Sequence, residues 1–177
     1  MFFVALALGM LIKGPVAVVL IGISLAFWSV WQGCFKIAIK RLPWLTGMMV
    51  FLLLTLPWYI WAEIRTPGFL EYFILGEHVQ RFLVSGWQGD LYGTAHVKPR
   101  GIIWLYWLAC ASPWSFIVIG LIVKKFRGIA LPQHKYQALG INKYLVCWMI
   151  SPLLLFTFSG NVLPIYVLPG FSALAVL

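Results

Sequence analysis

The residues that could do chemistry in this chain crowd into one stretch, Glu63 to Arg100. All four acidic residues lie there (Glu63, Glu71, Glu77 and Asp90), with two of the three histidines, His78 and His96. The run Glu77-His78-Val79-Gln80-Arg81 puts a carboxylate, an imidazole and a guanidinium about one helical turn apart, the types that shuttle protons, ligate metals and hold phosphate. Each also has a structural reading. Glu77 and Arg81 stand at i and i+4, where an ion pair supports a helix by about 0.2–0.5 kcal/mol. His78 reads as an interfacial histidine or, beside that pair, as a metal ligand or phosphate contact. Asp90 sits in a turn-rich run and reads as a turn cap or a general base. Two further candidates lie far away in sequence. Lys13 interrupts an apolar run, so it either anchors at lipid headgroups or meets an anion. Tyr166 follows a polar break, Ser159-Gly160-Asn161, in a segment interrupted by Pro164 and Pro169.

The elements that position these residues follow from composition. The 177-residue chain is 63% hydrophobic and 10% charged, too little polar surface to cover a soluble globule. An all-α, polytopic membrane protein is the fold this implies, with about four to five spans plus a half-helix. The net charge of +9 comes from short basic loops between apolar segments, which is a topology signal and excludes nucleic acid as a partner. Three cysteines, widely spaced and within or beside apolar segments, encode neither a disulfide framework nor a zinc site.

Residues 2–12 are too short to cross about 30 Å of hydrocarbon at about 1.5 Å per residue. Lys13-Gly14-Pro15 then breaks the run, and Pro15 suits the first turn of a new helix. Spans are expected over 15–32, 43–62, 101–123, 144–158 and 165–177, with an outer loop over 63–100, all in a single domain of residues 1–177. The basic loops at 32–42 and 124–143 hold eight of the thirteen Lys and Arg and no acid. By the positive-inside rule they are cytoplasmic, which places Lys13, the 63–100 loop and 159–164 together on the outer face. Within that loop, residues 69–84 read as an interfacial amphipathic helix. Phe69, Tyr72, Phe73, Val79 and Phe82 spread over its apolar side, and Glu71, His78 and Arg81 over its polar side.

Five short motifs occur in order: Lys13-Gly14-Pro15, Pro57-Trp58-Tyr59, Glu77-His78-Val79-Gln80-Arg81-Phe82, Ser112-Pro113-Trp114, and Leu163-Pro164-x-Tyr166-x-Leu168-Pro169. Their order and spacing resemble the C-fold membrane glycosyltransferases that use polyprenyl-phosphate-linked sugars. These include the dolichyl-phosphate-mannose protein mannosyltransferase-like group and, most closely, the aminoarabinose lipid A transferase branch. The resemblance covers nearly the whole chain. It implies a transferase that moves a sugar from a polyprenyl-phosphate carrier to lipid A, another envelope glycan or protein. The enzyme would be a multi-pass protein of the bacterial inner membrane, with its active face in the periplasm.

The resemblance also implies roles. Lys13, His78, Arg81 and Tyr166 match positions around the donor's phosphate, and His78 matches an element that lies near a divalent metal. Two departures matter. The family's catalytic carboxylate lies in an outer loop ahead of the residue matching Met1, so the base is expected outside this chain, with Glu77 and Asp90 as the candidates within it. On that reading the chain is part of a larger glycosyltransferase and inactive alone. Val162 stands where the family often has a lysine before its Leu-Pro-x-Tyr run. A transporter or flippase of a lipid-linked substrate is the alternative, although it would place charges at the middle of the bilayer rather than at one face.

Overall fold

The computed structural model describes residues 1–89, 96–128 and 140–177. Among these residues regular structure is helical, apart from one isolated antiparallel bridge between Val97 and Asn161. The all-α expectation therefore holds.

Helix α1 (Phe2–Lys13) and helix α2 (Pro15–Trp31) are divided at the expected place. Gly14 closes α1 at φ 73°, a conformation without steric cost only for glycine, and donates its N–H to Met10 O at 2.8 Å. Pro15, which has no N–H to satisfy, opens α2. Helices α3 (Phe35–Arg41) and α4 (Trp44–Arg65) follow. Helix α1 packs on α4, and α2 packs on α8 (Ile141–Thr157). The α2–α8 contact contains a buried polar link: Ser24 and Ser151, 0% and 1% exposed, share a 2.7 Å hydrogen bond. Small hydroxyl residues of this kind let two helices approach closely.

Helix α4 is long and apolar enough by itself to cross a bilayer. Its side chains are not covered by protein: Leu45, Leu53 and Trp61 are 78%, 70% and 58% exposed. The segment expected as one span over 101–123 is instead two helices, α6 (Ile102–Cys110) and α7 (Trp114–Phe126), meeting at 109°. Pro113 stands at the corner, where a missing N–H and a ring clash with the preceding turn stop a continuous helix. Helices α1, α2 and α8 are apolar but shorter than a full crossing, and the end of the chain forms a 3₁₀ turn, Pro164–Val167, followed by α9 (Leu168–Leu174). The main core lies where α6, α8 and these last elements meet, around Ile103, Trp107, Met149, Leu153, Val162 and Val167.

Candidate functional site

The expected amphipathic helix forms, but not as an α-helix. Glu71–Gln80 is a π-helix, continued by the single turn α5 (Arg81–Leu83). Glu63 sets its start. From the last turn of α4 the carboxylate accepts from the Gly68 N–H at 2.9 Å and the Leu70 N–H at 2.8 Å, satisfying amides that have no partner within the new helix. Backbone bonds to the fifth residue bring i and i+5 onto one face. Phe73 and His78, assigned to opposite faces on α-helical spacing, therefore lie in edge contact, their ring centroids 4.8 Å apart.

His78 closes one end of the site. Its Nδ1 lies 2.7 Å from Phe73 O on its own helix and its Nε2 lies 3.3 Å from Lys13 O, across 65 residues. The α1–α2 break is thus held against the π-helix. Gly14 is required here twice over, because a Cβ on it would meet His78 Nε2 at 2.6 Å and Phe73 Cζ at 2.9 Å. The exposed Lys13 side chain makes no hydrogen bond or ion pair among the described residues.

Asn161 closes the other end. It is 4% exposed, and its Nδ2 donates to Arg81 O at 2.6 Å and to Val84 O at 2.7 Å while its Oδ1 accepts from Gly86 N–H at 3.1 Å. Backbone bonds reinforce the seam: Gly160 N–H to Phe82 O and Val162 N–H to His96 O, both 3.3 Å. Ser159 Oγ donates to Asn161 O at 3.0 Å and holds the turn. Asn161 was not singled out from the sequence. The available signal was an asparagine in a Ser-Gly-Asn break between two apolar helices, where irregular backbone needs a side chain to satisfy it.

Arg81 and Glu77 lie between these two closures. Arg81 Nη1 and Glu77 Oε2 are 2.6 Å apart, and Tyr72 OH donates to Glu77 Oε1 at 2.7 Å. The ion pair expected from the i and i+4 spacing is present, and Glu77 has both carboxylate oxygens engaged. Tyr166 packs against Phe156, ring centroids 4.6 Å apart, and Phe156 lies 6.5 Å from Phe82, the residue after Arg81. Asp90 lies outside the described residues. Three polar stretches distant in sequence, Lys13–Pro15, the π-helix with α5, and 159–166, are thereby joined in one place.

A metal does not fit this arrangement. Both ring nitrogens of His78 face backbone carbonyls, Glu77 is committed to Arg81 and Tyr72, and no three His, Cys, Asp or Glu side chains gather among the described residues.

Comparison with known proteins bears on what this arrangement is for. The chain is 32% identical over 176 residues to an undecaprenyl phosphate-alpha-4-amino-4-deoxy-L-arabinose arabinosyl transferase of Erwinia tasmaniensis, covering 98% of this chain and 28% of that protein. Transferases of the same name from Pseudomonas fluorescens and Aeromonas salmonicida are 28% and 29% identical, covering 98% and 100% of this chain and 28% and 29% of theirs. Along its whole length the chain is similar to one segment of these arabinosyl transferases. The family resemblance seen in its motifs is thereby shown for that segment. The chain spans a little over a quarter of the length of those relatives. No protein-family model and no solved structure matches it.

Proposed function

We propose that the chain is the donor-phosphate wall of a membrane glycosyltransferase that moves an aminoarabinose-type sugar from undecaprenyl phosphate to lipid A. The observation that supports the reading is the contact of the Lys13 carbonyl with His78 and of Asn161 with the Arg81 carbonyl, which attaches the 13–15 and 159–161 stretches to the helical run 71–83, in a chain similar throughout to arabinosyl transferases. When the glycosidic bond breaks, the polyprenyl phosphate leaves with added negative charge. Fixed cations beside that phosphate stabilise the transition state more than the ground state, which is what lowers a barrier. Lys13 and Arg81 supply the cations. Glu77 orients Arg81, His78 holds the Lys13 backbone in place, and the Tyr166 hydroxyl is a hydrogen-bond contact to the phosphate. A carboxylate whose two oxygens are already bonded is a poor proton acceptor, so we assign the base that activates the acceptor hydroxyl to a group other than Glu77.

The bilayer is part of this proposal. The uncovered apolar side chains of α4 support a lipid surround, as do the basic runs at Lys36–Arg41 and Lys124–Arg127. A multi-pass protein of the bacterial inner membrane, with the π-helix on the periplasmic side, is the topology these features favour. The similarity to arabinosyl transferases favours a transferase over a flippase.

The test is retention of undecaprenyl phosphate by the chain in lipid nanodiscs, read by native mass spectrometry against undecaprenol, which lacks the phosphate. The phosphate lipid should be retained selectively, and Arg81→Ala and Lys13→Ala should each remove the selectivity. Equal retention of both lipids by the unmodified chain would overturn the assignment.

A further inference from the structure

A second polar feature lies at the opposite ends of α2 and α8. The described site is attached to the start of α2 and the end of α8, whereas a cleft of about 430 Å³ opens where α2 ends, α7 ends and α8 begins. Helices of 17 residues put the two about 25 Å apart. Trp31, Lys125, Gly140, Asn142, Lys143 and Val146 line the cleft.

One wall is rigidly built. Lys143 Nζ donates to Gln32 Oε1 at 2.8 Å and sits 5.7 Å from the centre of the Trp31 ring. Trp28 Nε1 donates to Gly140 O at 3.2 Å, and Gly140, at φ 65°, lies so close to the Gln32 amide that no side chain fits between them. Lys143 thus presents a positioned ammonium with donor capacity left over. Lys125 lines the same cleft and has no hydrogen bond or ion pair among the described residues. Among the described residues no carboxylate pairs with either lysine, and the basic stretch 124–143 itself contains no acid. Two cations, an amide and an indole around an open volume at a bilayer surface form a receptor for a phosphodiester with a small polar alcohol.

We infer that this cleft binds the headgroup of an anionic phospholipid of the cytoplasmic leaflet through Lys125 and Lys143. The inference rests on the membrane reading above but not on the transferase chemistry. It is tested with the full chain in nanodiscs of phosphatidylcholine with and without phosphatidylglycerol, counting bound lipid by native mass spectrometry. Three variants are compared: Lys125→Gln, Lys125→Gln with Lys143→Gln, and Lys36→Gln with Lys40→Gln on the neighbouring helix α3. The unmodified chain should retain phosphatidylglycerol preferentially. The single cleft variant should lower that preference several-fold and the double about tenfold or more, at about 1 kcal/mol per lysine. The α3 variant, with the same charge change, should alter it less than about threefold. Equal losses in the cleft and α3 variants would show diffuse attraction and overturn the inference, as would the absence of a preference. Displacement by inorganic phosphate alone would assign the cleft to a soluble anion instead. A chain that stays out of phosphatidylcholine bilayers would overturn the membrane reading and this inference together, whereas insertion without lipid preference would overturn this inference alone.

Discussion

Replacing Asn161 by alanine should loosen the proposed phosphate site without touching any residue assigned to it. The side chain makes three hydrogen bonds to backbone groups, and the groups left behind are not equivalent. Val84 O keeps a second bond, from Trp87 N–H at 3.3 Å. Arg81 O and Gly86 N–H lose the partner described for them in a site where Asn161 is 4% exposed. Each buried group left unsatisfied costs about 1–3 kcal/mol, so two of them give about 2–6 kcal/mol. For a chain of this size each kilocalorie shifts the melting temperature by about 2–4 °C, which predicts a drop of roughly 4–24 °C. The assay is thermal unfolding of the detergent-solubilised chain, paired with hydrogen exchange at amides 81–86. Exchange should accelerate there first, because the seam to 159–162 opens locally before the helices separate. Asn161→Asp is the sharper variant: it keeps the acceptor for Gly86 N–H but turns an acceptor toward the carbonyls of Arg81 and Val84. It should be at least as damaging as alanine. A melting temperature within about 2 °C of the unmodified chain for both variants, with unchanged exchange, would refute the claim that Asn161 secures this end of the site.

Three further outcomes follow from the same geometry. Gly14→Ala forces a Cβ onto a φ of 73° and against the His78 ring, so it should destabilise by more than about 1 kcal/mol, seen as a lowered melting temperature. Adding Zn²⁺ or a chelator should leave the melting temperature of the unmodified chain within error, since both His78 nitrogens face backbone carbonyls and both Glu77 oxygens are bonded; a rise with Zn²⁺ that disappears in His78→Ala would contradict this. A double-mutant cycle on Ser24→Ala and Ser151→Ala should return a coupling of about 0.5–1.5 kcal/mol for the 2.7 Å hydrogen bond between α2 and α8.

Much of the frame was legible because it depends on local chemistry. Gly-Pro after Lys13 can only divide a helix, and a basic loop without acids is a topology signal wherever it occurs, so the α1–α2 break and the grouping of the polar stretches could be read from composition and spacing. Two features could not. The corner at Pro113 sits inside an apolar run whose hydropathy passes straight through it, and hydropathy is blind to a ring clash with the preceding turn. The π-helix is the second: an α-helical period puts Phe73 and His78 on opposite faces, whereas bonding at the wider spacing sets them side by side. Asn161 escaped for a different reason: its three partners lie 75 to 80 residues earlier, and only tertiary structure reveals them.

The π-helix explains why His78 serves this site as a brace. Bonding to the fifth residue turns the His78 ring back over Phe73 O and leaves its other nitrogen aimed at the Lys13 carbonyl, so both nitrogens face backbone and the N–H of either tautomer donates to one of the two carbonyls. At the far end Asn161 does the same with an amide. Between the two backbone braces Arg81 pairs with Glu77, while Glu63 caps the start of the helical run. Lys13 illustrates the result: its carbonyl is held while its ammonium has no partner among the described residues, so a cation stands ready without the cost of breaking an existing ion pair when an anion arrives. A preorganised cation adds to transition-state stabilisation only if its backbone stays put. His78→Ala should therefore weaken retention of undecaprenyl phosphate through Lys13, and in a Lys13→Ala background the same change should have no further effect. Additive losses in the double variant would instead mean that the imidazole contacts the phosphate itself.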